Sequence, residues 1–132
     1  MTRRTRPWLG IFLLLAGFGS VLGEEEIDAK AQRKLGDRYR KGQDVPQDLA
    51  QAVAWYRRAS NQGDAEAQYS LGRCFASGEG VTKDLAEAAK WYCKAAERGY
   101  AEAQFELGLC YKCGRGVAQD LTEAMTWYRK AA

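Results

Sequence analysis

No histidine occurs in this chain, and only two prolines are found among its 132 residues. The absence of histidine removes the commonest general base and the commonest metal ligand together. A serine or cysteine nucleophile would have no imidazole to activate it. Serine–lysine schemes find no support either, because Ser60, Ser70 and Ser77 are followed three residues later by Gly63, Arg73 and Gly80. Gly78-Glu79-Gly80 and Gly114-Arg115-Gly116 look like pieces of a phosphate loop. They lack the lysine–serine ending and follow a helical pattern, where a phosphate loop follows a strand. The many paired carboxylates read as solvated, salt-bridging faces. An enzyme is therefore not expected, and neither is a cofactor.

An excess of charge is also missing. The formal net charge of +3 comes from 20 basic and 17 acidic residues. Arg3, Arg4 and Arg6 account for the whole difference, so the rest of the chain is balanced. A nucleic-acid binder needs a basic patch that neutralises phosphates and releases counterions. No such excess exists here, and no nucleic-acid partner is expected.

Long apolar runs are limited to one, Trp8 to Phe18. It follows the three arginines and precedes small residues and the acidic Glu24-Glu25-Glu26. These are the three parts of a secretory signal peptide over residues 1–23, with Val21 and Gly23 as the cleavage pair and a short acidic lead over 24–28. The run is shorter than the roughly 20 residues of a membrane span, so no stable span is expected after removal. An uncleaved anchor is the alternative, because Gly is a weaker final residue than Ala. A mitochondrial presequence fits poorly, since such segments are amphipathic. A twin-arginine signal fits poorly too, since Arg6 stands where an apolar residue belongs. The expected destination is an exported one: secreted, periplasmic or lumenal.

What the chain does have is repetition. Rows of 36 residues starting at Ala29, Ala65 and Ala101 align without gaps over 29–64, 65–100 and 101–132. The second row carries Ala67, Gln68, Leu71, Gly72, Phe75, Gly78, Gly80, Val81, Asp84, Leu85, Ala88, Trp91, Tyr92, Ala95, Ala96 and Gly99. About fifteen of these positions recur in the other rows at the same spacing. A fixed period of this size marks a repeat architecture.

Each row reads as two helices. Ala67, Leu71 and Phe75 make one apolar stripe, and Gly78 ends that helix. Val81 (Val45 and Val117 in the other rows) tucks under the pair. Asp84 with Glu87, Asp48 with Gln51 and Asp120 with Glu123 have capping-box spacing at the start of the second helix. The stripe Ala88, Trp91, Tyr92, Ala95 packs back, and the small residues Gly72, Ala88 and Ala95 let the helices approach. One pair cannot bury its stripe alone, and about three repeats are the minimum for a stable stack.

The pattern Ala-x-x-x-Leu-Gly-x-x-Tyr/Phe-x-x-Gly, then Gly-Val-x-x-Asp, then Ala-x-x-Trp-Tyr-x-x-Ala-Ala-x-x-Gly resembles the Sel-1-like repeat (SLR) family, relatives of the tetratricopeptide repeat. The resemblance covers Ala29 to Ala132. The first copy departs with Asp44 in place of Gly80 and Gly116, and Ser60 in place of Ala96. The resemblance implies an all-α, right-handed solenoid of three helix-turn-helix repeats that serves as an adaptor or scaffold for a protein or peptide partner. Some exported cysteine-rich family members carry a penicillin-binding or β-lactamase label, which makes a cell-envelope enzyme the rival reading. Such members bridge cysteines eight residues apart between repeats. The matching positions here are Ala96 and Gln104, so that bridge is absent.

Four cysteines remain: Cys74, Cys93, Cys110 and Cys113. An even number in an exported chain is compatible with disulfides. Cys74 and Cys110 occupy one slot in successive repeats, on helices roughly 10 Å apart, too far for a bridge. Cys93 lies between them and could reach either. Cys110-Tyr111-Lys112-Cys113 sits near a helix C-terminus, where the dipole disfavours a thiolate. Small buried side chains with one local disulfide are the expectation. A zinc site is not expected, because structural zinc sites usually show two close pairs.

The stripe also locates a candidate binding face. At about 100° per residue, Tyr69 and Arg73 lie opposite the core side of their helix. The same slots hold Phe105 and Leu109 in the third copy, with Lys112 nearby, and Arg33 and Asp37 in the first, with Arg40 alongside. The face thus runs from charged to apolar, and suits a segment with an apolar anchor and an acidic flank. Packing between neighbouring first helices is the competing role for Tyr69 and Phe105. Self-association through the third repeat is expected as well, from exposure of some of Ala124, Trp127, Tyr128 and Ala131.

Overall fold

Aspartates open most of the helices of this protein. The computed structural model describes residues 27–132, and these form six helices. They are α1 (Ala29–Lys41), α2 (Leu49–Asn61), α3 (Ala65–Ser77), α4 (Leu85–Glu97), α5 (Ala101–Cys113) and α6 (Leu121–Ala131). Asp28, Asp48, Asp64, Asp84 and Asp120 each accept a hydrogen bond from a first-turn N–H, at 2.8 to 3.1 Å. Such a cap satisfies one of the orphan donors of a helix start and contributes about 1 kcal/mol. Only α5, which follows Tyr100, starts without a side-chain cap.

The capping box anticipated from spacing is half formed. The aspartate carboxylate takes its first-turn donor, but its own N–H serves another purpose. Asp48, Asp84 and Asp120 donate their N–H groups to Tyr39, Phe75 and Tyr111 at 2.9 Å. Each bond ties the start of the second helix to the end of the first, and so closes the hairpin.

Within each hairpin a tyrosine lies on a glycine. A Cβ at Gly72 would stand 2.8 Å from the Tyr92 ring, and Gly36–Tyr56 and Gly108–Tyr128 repeat the arrangement at 2.6 and 2.7 Å. The glycine forms the socket that lets a large ring sit between two close helices. The core is completed by Ala52, Val53, Leu71, Phe75, Ala88, Ala95, Ala103 and Leu107, with Val81 and Val117 packed at its edge. Trp55, Trp91 and Trp127 each carry a cation from the next turn, with Arg58, Lys94 and Lys130 at 4.5, 4.5 and 4.3 Å from the ring centres. Such contacts contribute roughly 0.5–1 kcal/mol at exposed sites.

Packing runs from each helix to its chain neighbour, which makes the architecture a solenoid of three helix-turn-helix units. Two devices join successive repeats. Gln68 and Gln104, both buried, donate from Nε2 to the Ser60 and Ala96 carbonyls eight residues earlier, at 3.2 and 3.0 Å. Within the first repeat, Gln62 Nε2 donates to Oε1 of the buried Gln32, at 2.6 Å.

The second device is the loop glycine. Gly80 and Gly116 have positive φ (74° and 77°), and a Cβ on either would run into the Leu49 or Leu85 carbonyl of the preceding repeat. Asp44 holds the same slot in the first repeat with φ 64°. Aspartate tolerates that backbone conformation, and among the described residues no helix faces Asp44 as α2 and α4 face the two glycines.

Candidate binding surface

The three repeats converge on one polar cleft. It encloses about 270 Å³ and draws residues from every repeat. Its floor is formed by the two buried hairpin tyrosines, Tyr56 from α2 and Tyr92 from α4. Arg40 enters from α1, Arg73 from α3 and Glu106 from α5, and the loop residues Glu79 and Arg115 complete the rim. Ser70 and Ser77 lie between them. The concavity follows from the fold, because the first helices of successive repeats stand side by side.

The electrostatics of the cleft are uneven. Tyr56 donates its hydroxyl proton to Asp37 Oδ1 at 2.6 Å and accepts from Arg40 Nε at 3.2 Å. Burial, then the bond to Asp37, holds the Tyr56 proton far above its ordinary range. The Arg40 guanidinium is in turn held more firmly protonated, chiefly by its bond to Tyr56. Arg40 is therefore fixed and partly neutralised. Arg73 and Arg115 are exposed and make no ion pair with a described residue. Burial pushes the Cys74 thiol beside them up to about 11, which keeps it neutral and unreactive at physiological pH.

The structure separates the five residues singled out from the sequence. Arg73 lines the polar cleft, with its guanidinium carbon 5.9 Å from the Tyr69 ring centre. Tyr69 is half-buried, with ring centres 5.8 Å from Tyr92 and 5.3 Å from Tyr100, so it also packs within its own repeat, up to the residue that precedes α5. Phe105, Leu109 and Lys112 line a shallower depression of about 500 Å³ with Tyr128, Ala131 and Ala132. Phe105 is 50% exposed, its ring centre 5.6 Å from Tyr128. Tyr69, Phe105 and Glu106 together border the ground between the two depressions. Glu79, Glu106 and Arg115 were not singled out from the sequence. Glu79 and Arg115 share one slot between the loop glycines, and that register is the signal that marks them.

One expectation needs correction. All four cysteines are free thiols, so the local disulfide is not formed. Cys110 is buried against the core, whereas Cys113 is exposed at the helix end. Cys93 donates instead to Glu97 Oε2 at 3.5 Å. On α6, Ala124 is buried and Trp127, Tyr128 and Ala131 are partly covered. The exposed apolar residues there are Leu121 (62%) and Met125 (51%). Among the described residues no cluster of histidine, cysteine or carboxylate side chains could hold a metal ion. No described helix is long and apolar enough to cross a membrane.

A stack of three capped helical hairpins with a recessed face defines an α-helical repeat scaffold. Comparison with known proteins gives the family. The Sel1 repeat profile matches residues 29–64, 65–100 and 101–132. The chain belongs to the Sel1 repeat family. No curated protein matches it by sequence. Among solved structures it is similar to c5321, a protective antigen present in uropathogenic Escherichia coli strains that displays an SLR fold, with 45% identity and a TM-score of 0.77. That match covers 78% of this chain and 22% of the antigen. A Sel1 repeat protein from Oxalobacter formigenes is 38% identical with a TM-score of 0.79, over 83% of this chain and 44% of that one. The chain thus spans less than half the length of either relative. Cysteine-rich protein B of Helicobacter pylori shares the fold at 22% identity and a TM-score of 0.64, over 80% of this chain and 90% of that one.

Proposed function

We propose that this protein is an exported scaffold that binds a protein or peptide segment along its recessed face. The observation that carries the reading is the cleft itself, to which all three repeats contribute side chains. Beside it, Phe105, Leu109 and Tyr128 offer an apolar depression for an anchor side chain. Large aromatic residues in a recess are the usual energetic centres of protein interfaces.

The test is a pair of variants, Tyr69→Ala and Phe105→Ala, assayed against a partner captured by cross-linking from the exporting cell. Loss of binding with a nearly unchanged thermal midpoint supports the reading. Loss of several degrees with binding retained makes both residues packing residues and refutes it.

The exported location rests on the features of residues 1–23, which lie outside the described residues. Cleavage after Gly23 leaves Glu24 as the first residue, and N-terminal sequencing of exported protein checks it. Retention of Met1 in a membrane fraction supports the anchor. Self-association through the third repeat draws support from the exposure of Leu121 and Met125. A strictly monomeric protein in concentrated sedimentation runs would refute it.

A further inference from the structure

We infer that the polar cleft is a carboxylate site, in which Arg73 and Arg115 receive one acidic side chain of the bound segment. The inference rests on the scaffold reading and deepens it. Five charged side chains line the cleft: Arg40, Arg73 and Arg115 against Glu79 and Glu106. Asp37, bound to Tyr56, offsets Arg40, so the charges left to meet a ligand are those of Arg73, Arg115, Glu79 and Glu106.

The three arginines are not equivalent. Arg40 is bound to the Tyr56 hydroxyl, and that hydroxyl is bound to Asp37. Its charge has a partner two bonds along this chain of contacts. Arg73 and Arg115 come from successive repeats, reach the same cleft and pair with no described carboxylate. A guanidinium presents a planar fork of donors that matches a carboxylate, and such charge-assisted bonds are roughly twice as strong as neutral ones.

The two glutamates set the class of ligand. Glu79 and Glu106 stand on the same rim and repel a chain that carries one negative charge per unit. A phosphate backbone therefore fits badly. A peptide fits well, because it can place one acidic residue on the arginines and a neutral or basic neighbour beside the glutamates. A volume of about 270 Å³ falls just below the range of ligand pockets, about 300–1,000 Å³. The cleft thus holds one or two side chains of a segment that continues over Phe105.

The probe is a positional-scanning library of immobilised decapeptides, acetylated and amidated at their ends, exposed to the full chain. A second arm carries free C-terminal carboxylates. The expected result is selection of Asp or Glu at one position in the capped arm. In the double variant Arg73→Gln/Arg115→Gln that preference falls about tenfold, as expected for loss of a charge-assisted contact. Both arginines are exposed, and a thermal melt that matches the parent shows that the double variant is folded. Glu79→Gln/Glu106→Gln strengthens the acidic preference.

Three results overturn the inference while the scaffold reading stands. They are apolar selection without acidic selection, acidic selection that survives the double arginine variant, and acidic selection confined to the free-carboxylate arm. Failure of the library to bind at all overturns both.

Discussion

The glycine socket makes a graded prediction. Replacement of Gly72 by alanine puts a methyl carbon 2.8 Å from two carbons of the Tyr92 ring and 3.3 Å from the Ala88 carbonyl oxygen. Carbon atoms pack best at about 3.5–4.0 Å, so the ring or the helix must move by roughly 0.7 Å. Tyr92 is only 4% exposed and lies against Tyr69. The two helices are also bolted together by the Asp84 N–H to Phe75 carbonyl bond. Overpacking of this kind costs typically 1–3 kcal/mol. Alanine offsets about 1 kcal/mol of that through its higher helix propensity. The net expectation is a loss of about 1 kcal/mol, or roughly 4–8 °C in Tm. Gly36→Ala loses at least as much, because Asp37 and Arg40 hold Tyr56 in place. Gly108→Ala loses least, because the Tyr128 ring is only partly covered and can swing away. Thermal and urea melts followed by circular dichroism read the series. If all three variants gain stability, helix propensity outweighs the close approach and the socket is not a constraint. If Gly108→Ala loses most, the ordering by ring freedom is wrong.

Two further predictions follow from other parts of the fold. Gly80→Asp drives a side chain into the Leu49 carbonyl and should cost at least about 3 kcal/mol, in the range reserved for severe core disruption. Asp44→Gly, in the equivalent slot, should change stability by less than about 0.5 kcal/mol; equal losses in the two melts would remove the loop glycine from the stacking mechanism. Stability should also decline in alkali. Burial raises the Cys74 thiol from 9.0 to about 11, so the native state keeps a proton that the unfolded chain releases. Its contribution is complete below about pH 9 and is lost as pH rises towards 11, on the order of 2 kcal/mol. Cys74→Ala should flatten that part of the profile of Tm against pH, and an unchanged slope would refute the assignment.

The sequence by itself determined the fold, because the information is local and repeated three times. The 36-residue spacing of Leu71, Gly72, Asp84, Trp91 and Tyr92 and their counterparts encodes helix starts, helix ends and apolar stripes within one unit. Stacking then follows, since a single pair leaves its stripe uncovered. Only the tertiary structure decided how the conserved-looking slots are used. Gln68 is an unremarkable polar residue in the row until its amide reaches the Ser60 carbonyl, and Gly80 is a turn residue until the preceding helix stands against it. The cysteine spacing suggested a local bridge, but helix geometry turns Cys110 inward and leaves Cys113 in solvent. The candidate surface divided for the same reason. Angular position on one helix put Tyr69 and Arg73 together, whereas the rings of Tyr92 and Tyr100 cover part of the first and the second is left on the cleft. Glu79 comes from the second repeat and Glu106 and Arg115 from the third, and only the stacking of the two brings them to one rim. Contacts between repeats depend on distances that no single row of the sequence contains.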